Sequence, residues 1–520
     1  MIFKLPVGEV TFRNPQILDV DTKQVVLERV LTNLFMLIYA DGANVKLKNR
    51  KEFNIDNMID DIFCALEQEG KISGVESYRT AVLDWLRSSL LEIVNRGNMH
   101  KEKVASVRPV HLLSFRVQNR RYCRDYSTAD QLYLMLKAAP DVLTSLRKYL
   151  SIGWDNDKKE ITPNEVNDVD TAGILLMSSK LRDGREPNDA ISFVKPLLPR
   201  QADLFNDDVR RLLAYKDVLP RSVFIEYLKI ICGLHLALYS MKVVLFLPQM
   251  VKAGTTNVPD DWSMVVDLTG NLDSKVSRIA CRDMERLMNA VRPYIRATYM
   301  INLAQRAYSV NRGGCSVDKA LDDIKQGKVE VSYMKGKIVD ILDKLNDKND
   351  KEFDKEDLYS LMEYYDDDDY FGKYVHLLEV SNLGYSQFKF FKNFIDSVSM
   401  KNKPSMLMAD GRSRRRQRRG AIGPKMLETM VQLLLLQPKD DGGFESRSLS
   451  VNELMQSIRS RYGLIINGVG EARFESADVE TYAAFEENVS AFKDMLRQSG
   501  FYSDLSDACI LQRIRPRYKI

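Results

Sequence analysis

The longest apolar stretch of the chain, Val223 to Leu247, limits the fold more than any other feature. A membrane-spanning helix needs about 18 to 20 residues with few or no charges, whereas Lys229, His235 and Lys242 interrupt this stretch. We therefore predict a buried core helix here and no contact with a membrane. A histidine inside such a helix is more typical of a hydrogen-bonded core residue than of a catalytic base.

Helical periodicity dominates most of the remaining chain. Apolar residues recur at spacings of three and four, and several segments exceed the mean helix length of about 11–12 residues, which favours packed helical layers over a sheet-centred fold. A length of 520 residues predicts several domains, because one core stops growing near about 250–300 residues. The predicted helical segments are residues 23–39, 58–66, 78–94, 129–150, 203–215, 221–247 and 275–308.

The predicted fold class is mainly α: a multidomain helical protein with a C-terminal winged-helix-like (α+β) domain. Residues 1–155 would form an N-terminal, mostly helical domain that begins with short strands, and residues 156–350 a central helical domain. Residues 351–423 would be a helical segment with an acidic loop and an arginine-rich linker. Residues 424–520 would form the winged-helix-like domain.

The last hundred residues carry the clearest local signals. Pro424 begins a first helix, and Ser450 and Glu453 form a capping box at the start of a second. Residues 479–499 give a third helix with one apolar stripe, and a β-prone run follows at residues 509–514. Three helices followed by a two-stranded ribbon are typical of a winged helix, a variant of the helix-turn-helix plan.

Charge is balanced over the whole chain but concentrated locally. The 76 Lys and Arg residues against 72 Asp and Glu leave a net charge of +4, which excludes a globally basic coat for nucleic acid. Residues 412–419 contain six arginines and no acid, and guanidinium groups pair readily with phosphate oxygens. We predict non-specific contact with the backbone of double-stranded DNA that weakens steeply with salt. The arginines are Arg412, Arg414, Arg415, Arg416, Arg418 and Arg419.

The same arginine-rich segment has other interpretations. It would be a solvated linker, or it would neutralise the acidic run Asp366–Asp369 of the same chain or of a partner. Four adjacent acids without the EF-hand spacing predict a flexible acidic loop rather than a site for Mg²⁺ or Ca²⁺. Such a loop would compete with nucleic acid for the arginines.

A second group of cations lies at the end of the chain and alternates along an extended run. It would meet successive phosphates or an acidic protein face. The third helix, residues 479–499, has four acids against two bases, so phosphate would repel it. Docking to a partner subunit is therefore the alternative role for this region. The cations are Arg513, Arg515, Arg517 and Lys519.

A third group of cations is interleaved with His111, Phe115 and Tyr122. Cations beside rings that can stack suit a nucleic-acid surface. An amphipathic segment with a solvated basic side fits the pattern as well, and we favour that interpretation. The cations of this secondary basic patch are Arg108, Arg116, Arg120, Arg121 and Arg124.

Catalytic and metal-binding motifs are absent from the sequence. It contains no P-loop, GxGxxG, HExxH or GxSxG, and its four histidines are too far apart to make a local metal site. Glu69-Gly70-Lys71 is similar to the end of a nuclease motif, but it follows a helix and no strand surrounds it. We predict no cofactor and no small-molecule substrate.

Cysteine usage and the N-terminus indicate a cellular compartment. The six cysteines lie at least 34 residues apart and form no CxxC pair, as expected of reduced thiols. The first residues lack the basic and apolar regions of a secretory signal. Both features predict a cytoplasmic protein.

Two segments resemble a known family. The run from Asn14 to Gly42 reads NPQILDVDTKQVVLERVLTNLFMLIYADG, and the run from Pro199 to Tyr239 begins PRQADLFNDDVRRLLAYKDVLPRS. They resemble an accessory protein of bacterial methylation-associated anti-phage defence systems. The resemblance implies a cytosolic protein that works in a complex with a DNA methyltransferase, ATPase and nuclease partners. It includes no catalytic motif, so it assigns no active residue.

These observations lead to three functional hypotheses. The first is a non-catalytic accessory subunit of a prokaryotic anti-phage defence complex, which binds DNA non-specifically and helps to assemble partner subunits. The second is a pure protein scaffold without nucleic-acid contact. The third is a divergent metal-dependent nuclease, whose carboxylates would have to converge from distant parts of the sequence.

Overall fold

The computed structural model describes residues 5, 11–45, 53–94, 102–162, 168–181, 190–191, 194–312, 315–347, 360, 362–409, 417–440, 442–501 and 513–520. Helices dominate these parts of the chain, and the strands form only short pairs. The prediction of a mainly α protein is therefore confirmed.

The N-terminal region contains helices and two short antiparallel strand pairs. Its elements are α1 (Leu27–Tyr39), α2 (residues 55–68, π-helical over Ile59–Cys64), α3 (residues 79–90), β1 (Leu91–Val94), β2 (Lys103–Val107), α4 (Thr128–Lys137), α5 (Pro140–Leu150), β3 (Trp154–Asp155), β4 (Glu160–Ile161) and α6 (Val169–Lys180). Helix α3 is shorter than predicted because residues 91–94 leave the helix and pair with β2. Pro140 divides the predicted helix 129–150 at a position that suits the first turn of α5.

The central region is built from long helices. Its elements are α7 (Pro199–Ala214), α8 (Arg221–Ala253), β5 (Met264–Val265), α9 (Lys275–Arg312), α10 (Val317–Lys325), α11 (Ser332–Asp347), α12 (Tyr370–Val380), α13 (Asn382–Ser399), β6 (Met408–Ala409) and β7 (Arg419–Gly420). The two longest helices, α8 and α9, pack against each other, and α7, α13 and α10 cover other sides of α8.

Helix α8 is the core helix that the apolar stretch predicts. It is long and apolar enough to cross a membrane, yet 94% of its most apolar window is buried inside the protein. The polar residues that interrupt it are paired: Lys229 with Glu28 at 2.8 Å, and Lys242 with Asp260 at 3.4 Å. Neighbouring helices of the same chain therefore bury the apolar surface of α8.

The C-terminal region follows the predicted helix order but places its hairpin elsewhere. Its elements are α14 (Pro424–Leu434), β8 (Leu436–Pro438), β9 (Phe444–Ser446), α15 (Val451–Tyr462), β10 (Leu464–Ile465) and α16 (Val479–Gln498). The antiparallel pair β8–β9 lies between the first two helices. Most of the predicted ribbon, residues 509–512, lies outside the described residues, and Ile514 forms a single antiparallel bridge with Leu449.

Local signals at α15 and α16 are confirmed. Ser450 and Glu453 form the capping box, and Gly463 ends α15 with a φ of 71°, a conformation that glycine adopts without strain. The predicted stripe of α16 is buried and faces the core. Its residues are Phe485, Val489, Phe492 and Leu496.

One hydrophobic core crosses all four predicted domain segments. It includes Leu31, Leu238, Phe394 and Leu433, each almost completely buried. Strand β10 also pairs in parallel with β5, and the Asp267 N–H donates to the Gly420 carbonyl at 2.9 Å. The C-terminal region is therefore joined to the central region by backbone pairing and by a shared core.

Candidate nucleic-acid interface

The arginine-rich segment, residues 412–419, follows strand β6 in the chain and ends in strand β7, which pairs with it. Strand β6 pairs antiparallel with β7, so the chain leaves at Ala409 and returns at Arg419. Gly420 fixes the return point, because a Cβ there would lie 2.4 Å from the Val265 carbonyl oxygen. Four of the predicted contact residues, Arg412, Arg414, Arg415 and Arg416, lie outside the described residues.

The last two arginines of this segment correct the prediction of phosphate contact. Arg419 is only 6% exposed, and its Nε lies 2.6 Å from a carboxylate oxygen of Asp267, which is also buried. The Nε of Arg418 lies 3.2 Å from Asp396. Both guanidinium groups hold the start of β7 against the core, so they are not presented to a polyanion.

Helix α9 carries a basic face beside this return point. Arg278, Arg282 and Arg286 are exposed and spaced by four, which places them on one side of the helix. The ion pairs that α9 makes within the described chain use Lys275, Asp283 and Arg296 instead. We call Arg278, Arg282 and Arg286 the α9 basic face.

A cleft joins the α9 basic face to the arginine-rich segment. It has a volume of about 400 Å³, and its lining includes Arg278, Arg282, Glu285 and Gln417. Gln417 belongs to the arginine-rich segment, so the cleft is lined by one described residue of that segment and by two arginines of α9. The sequence prediction did not include the α9 basic face, although a spacing of four within a helical segment was the available signal.

A larger cleft of about 620 Å³ lies further along the same helix, between α9, α12 and α13. Arg292 lies fourteen residues after Arg278, which is about 21 Å along a helix axis. The cleft combines cations with aromatic rings. Its lining includes Arg292, His376, Glu379, Tyr385, Phe388, Lys389 and Lys392.

The C-terminal cations alternate as predicted. Arg513, Arg515, Arg517 and Lys519 are exposed, whereas Ile514 between the first two is fully buried. Arg517 nevertheless has partners in the same chain: its Nη1 lies 2.6 Å from Glu428, and its guanidinium lies over the Phe501 ring.

The secondary basic patch is divided between surface and core. Arg108, Arg120, Arg121 and Arg124 are exposed. Arg116 is only 4% exposed, and its guanidinium lies 5.5 Å from the Trp154 ring centroid and 5.8 Å from that of Tyr39. For Arg116 the predicted surface role is therefore corrected to a structural one, while the other four remain a solvated basic side.

His235 is a hydrogen-bonded core residue, as the sequence predicts. Its Nε2 lies 2.8 Å from Asp208, and the Gln201 side-chain amide lies 2.8 Å from its Nδ1. Burial lowers the pKa of His235, so the ring is neutral near pH 7. The histidine and Asp208 are both inaccessible to solvent, so the pair joins helices and does not face a substrate.

Asp208 is the centre of this buried cluster. Arg461 contributes Nη2 at 2.5 Å, and the Tyr462 hydroxyl donates to the other carboxylate oxygen at 2.9 Å. Burial alone would raise the pKa of Asp208, but the Arg461 guanidinium and the His235 hydrogen bond lower it below its ordinary value. The cluster thus holds an ionised carboxylate that ties α7 to α8 and α15.

The acidic run Asp366–Asp369 is exposed, and the carboxylate of Asp369 caps the start of α12. Across the described chain, no group of three or more His, Cys, Asp or Glu side chains is arranged to hold a metal ion.

Comparison with known proteins identifies the family. No curated protein and no solved structure matches the chain. The family model for the methylation-associated defense system protein MAD7 matches residues 8–518. That match spans nearly the whole chain and confirms the resemblance found in the sequence, so the chain belongs to this family of methylation-associated defence system proteins.

Proposed function

We propose that this chain is a non-catalytic accessory subunit of its defence complex that contacts the backbone of double-stranded DNA without reading sequence. The observation that carries the proposal is the α9 basic face, in which three arginines share one exposed side of a helix and have no carboxylate partner in the described chain. Other surface arginines of this protein, such as Arg210 and Arg497, do form an ion pair with a carboxylate.

The spacing of this face suits a phosphate backbone. Residues four apart rise about 6 Å along a helix, and the phosphates of one DNA strand rise about 3.4 Å each along the duplex axis. A helix lying along a strand would therefore place one arginine near about every second phosphate. Guanidinium groups match phosphate oxygens bidentately and are weakly hydrated, which favours such contacts.

The arginine-rich segment would extend this contact. Arg412, Arg414, Arg415 and Arg416 precede Gln417, which lines the cleft shared with Arg278 and Arg282. Four further cations in this segment would add charge without adding sequence readout. The exposed tail cations Arg513, Arg515 and Lys519 would provide a separate, weaker contact.

The salt dependence of DNA binding tests this proposal. We would replace Arg278, Arg282 and Arg286 together with Gln and measure affinity for a non-specific duplex between about 50 and 200 mM salt. The slope of log K against log salt should fall by about 2.7, since each phosphate contact contributes about 0.9. The matched control replaces Arg87, Arg210 and Arg497 with Gln, which removes the same charge from arginines that pair with carboxylates. Equal slopes in the two triple variants would contradict the proposal.

Assembly of partner subunits is a second candidate function. Membership of a defence system makes other subunits of that system the expected partners. The C-terminal region supports this role with exposed apolar side chains, Val469 at 62% and Val479 at 84% exposure. The net negative charge of α16 also suits a protein surface better than DNA. We propose that the winged-helix-like succession α14, α15 and α16 docks to a partner rather than reads a major groove.

Co-expression with the other subunits of the system tests this second role. Replacing Val469 and Val479 with Asp should remove the chain from the assembled complex in size-exclusion chromatography, because a charge cannot be buried without a partner. The DNA salt slope should stay unchanged in this variant. A complex that retains the variant would assign assembly to another surface.

We further propose a cytoplasmic location, and the nuclease hypothesis gains no support from the described carboxylates.

A further inference from the structure

The larger cleft has a different chemistry from the α9 basic face. Three cations line it, Arg292 from α9 and Lys389 and Lys392 from α13. Lys389 and Arg292 are exposed, and none of the three forms an ion pair with a described carboxylate. The cleft therefore presents positive charge that no carboxylate in the described part of the chain neutralises by an ion pair.

Among the described residues that line the cleft, the one carboxylate already forms an ion pair. Glu379 lies at the end of α12, and an oxygen of its carboxylate lies 3.0 Å from Arg296 Nη1. The turn between α12 and α13 fixes this arrangement, because Gly384 lets the first turn of α13 approach the Glu379 carbonyl; a Cβ at Gly384 would lie 2.1 Å from that oxygen. The site is therefore net positive and built on three helices, α9, α12 and α13.

Aromatic rings stand beside these cations. Tyr385 lines the cleft and is 58% exposed, which is a large exposed fraction for an aromatic side chain. The Arg292 guanidinium lies 5.8 Å from the Phe388 ring centroid. A guanidinium held over a ring offers a flat outer surface, and nucleobases stack on both aromatic rings and guanidinium planes.

His376 completes the cleft on the α12 side. Burial lowers the pKa of His376, so the imidazole is neutral near pH 7 and adds a polar, uncharged ring. The ring also lies 5.5 Å from the Tyr365 ring, which packs against α12. A neutral ring next to cations favours a ligand that has both a planar group and an anionic group.

We propose that this cleft binds single-stranded nucleic acid, with a base stacked on Tyr385 and the adjoining phosphates bound by Lys389 and Lys392. In a duplex the bases are already stacked and paired, so they cannot reach a ring inside a cleft, whereas an unpaired strand exposes them. A volume of about 620 Å³ is within the range of small-ligand pockets and suits one or two nucleotides. The inference rests on the proposed function in one respect: the α9 basic face would deliver the strand to Arg292 on the same helix.

Fluorescence of a short oligonucleotide that contains 2-aminopurine tests the stacking directly. Stacking on Tyr385 should quench the probe when the full-length protein binds, and Tyr385→Ala should relieve the quenching. The same variant should weaken single-strand binding about five- to a hundredfold, the range expected for one stacked base. Tyr385→Phe, which keeps the ring, should restore both signals. Tyr385 is exposed, so neither change should unfold the protein.

Three comparisons separate this inference from the proposed function. Duplex affinity and its salt slope should be the same in Tyr385→Ala and the unmodified protein. An abasic oligonucleotide should bind the two proteins equally, and free nucleoside monophosphates should compete only weakly. The inference is overturned if Tyr385→Ala binds single strands as well as the unmodified protein does, or if it loses duplex affinity to the same extent. Loss of the duplex salt slope in the α9 variants, with no effect of Tyr385→Ala, would support the proposed function alone.

Discussion

Two regions of this molecule use arginine in opposite ways. At the junction of α7, α8 and α15, Arg461 lies 2.5 Å from both Asp207 and Asp208, and its charge is fully compensated by neighbours. On α9, Arg278 and Arg282 are exposed, and neither forms an ion pair with a described carboxylate. The first arrangement fixes the fold, and the second leaves charge available to another molecule.

The difference shows that the density of arginine in a sequence does not by itself indicate a binding surface. Arg419 belongs to the most basic run of the chain, yet it is buried against Asp267. Arg286 belongs to a segment of mixed charge, yet it is exposed and unpaired in the described structure. The position of the acids in space separates the arginines that are paired within the fold from those that are left unpaired on its described surface.

Removal of the central carboxylate at the junction should have the largest effect. Asp208→Asn would leave Arg461 with Asp207 as its remaining carboxylate partner, and it would disturb the hydrogen bonds from His235 and Tyr462 to the buried position 208. Breaking a buried pair in this way costs about 3–5 kcal/mol in the free energy of unfolding. Denaturant unfolding measures this change.

The matched control for that variant is Asp141→Asn, which removes a surface partner of Arg210. An exposed pair contributes about 0–1 kcal/mol, so the control should unfold almost like the unmodified protein. If the two variants lost similar stability, the junction would not depend on charge pairing, and the contrast between the two regions would fail.

A second, smaller effect should follow from Arg419→Gln. The carboxylate of Asp267 would keep the N–H and hydroxyl of Thr269 as donors but would lose its buried cation. We expect a loss of about 2–3 kcal/mol in unfolding free energy. The salt slope of duplex binding should not change. A reduced slope with unchanged stability would restore Arg419 to the binding surface.

A buried carboxylate that has mainly acidic neighbours should instead lower the stability when it ionises, and Asp130 in α4 is such a group. Asp130 is surrounded by Asp125 and Asp19, with Arg13 as the nearby cation, and burial together with these two acids raises its pKa to about 7. An unfolded Asp ionises near pH 3.9, so between about pH 4 and 7 the folded state keeps a proton that the unfolded state loses. Stability should therefore fall as the pH rises through this window.

Thermal unfolding at several pH values measures this effect. Asp130→Asn should flatten the decline between about pH 4 and 7 and should stabilise the protein by about 1–2 kcal/mol at the upper end. Below about pH 4 the two proteins should unfold alike, since both side chains are then neutral. An unchanged pH profile in the variant would show that Asp130 ionises as freely in the fold as in solution.

Local signals predicted much of the fold from the sequence. The core position of α8, the capping box at Ser450 and the buried stripe of α16 all depend on residues close together in the chain, so periodicity and capping chemistry are sufficient. The end of α3 was mispredicted because residues 91–94 pair with β2, a contact that helical periodicity does not report. The parallel pairing of β5 with β10 joins segments 200 residues apart and has no local signature.

The candidate interface shows the same limit. The sequence identified the arginine-rich segment. It could not reveal that Arg419 pairs with Asp267 and that Arg418 pairs with Asp396. Nor could it show that Arg292 from α9 meets Lys389 and Tyr385 from α13 in one cleft. Both facts depend on which helices pack together, and that is decided by the shared core rather than by the charged residues.

The smallest expected change in stability comes from Arg278→Gln. Arg278 is exposed and has no ion pair in the described structure, so its removal should change the free energy of unfolding by less than about 0.5 kcal/mol. The slope of duplex affinity against salt should nevertheless fall by about 0.9, the contribution of one phosphate contact. Arg419→Gln should give the reverse, a loss of stability with the slope retained. Two single substitutions of the same residue type would then separate the two uses of arginine, whereas a stability loss in Arg278→Gln would mean that α9 has a structural partner outside the described residues.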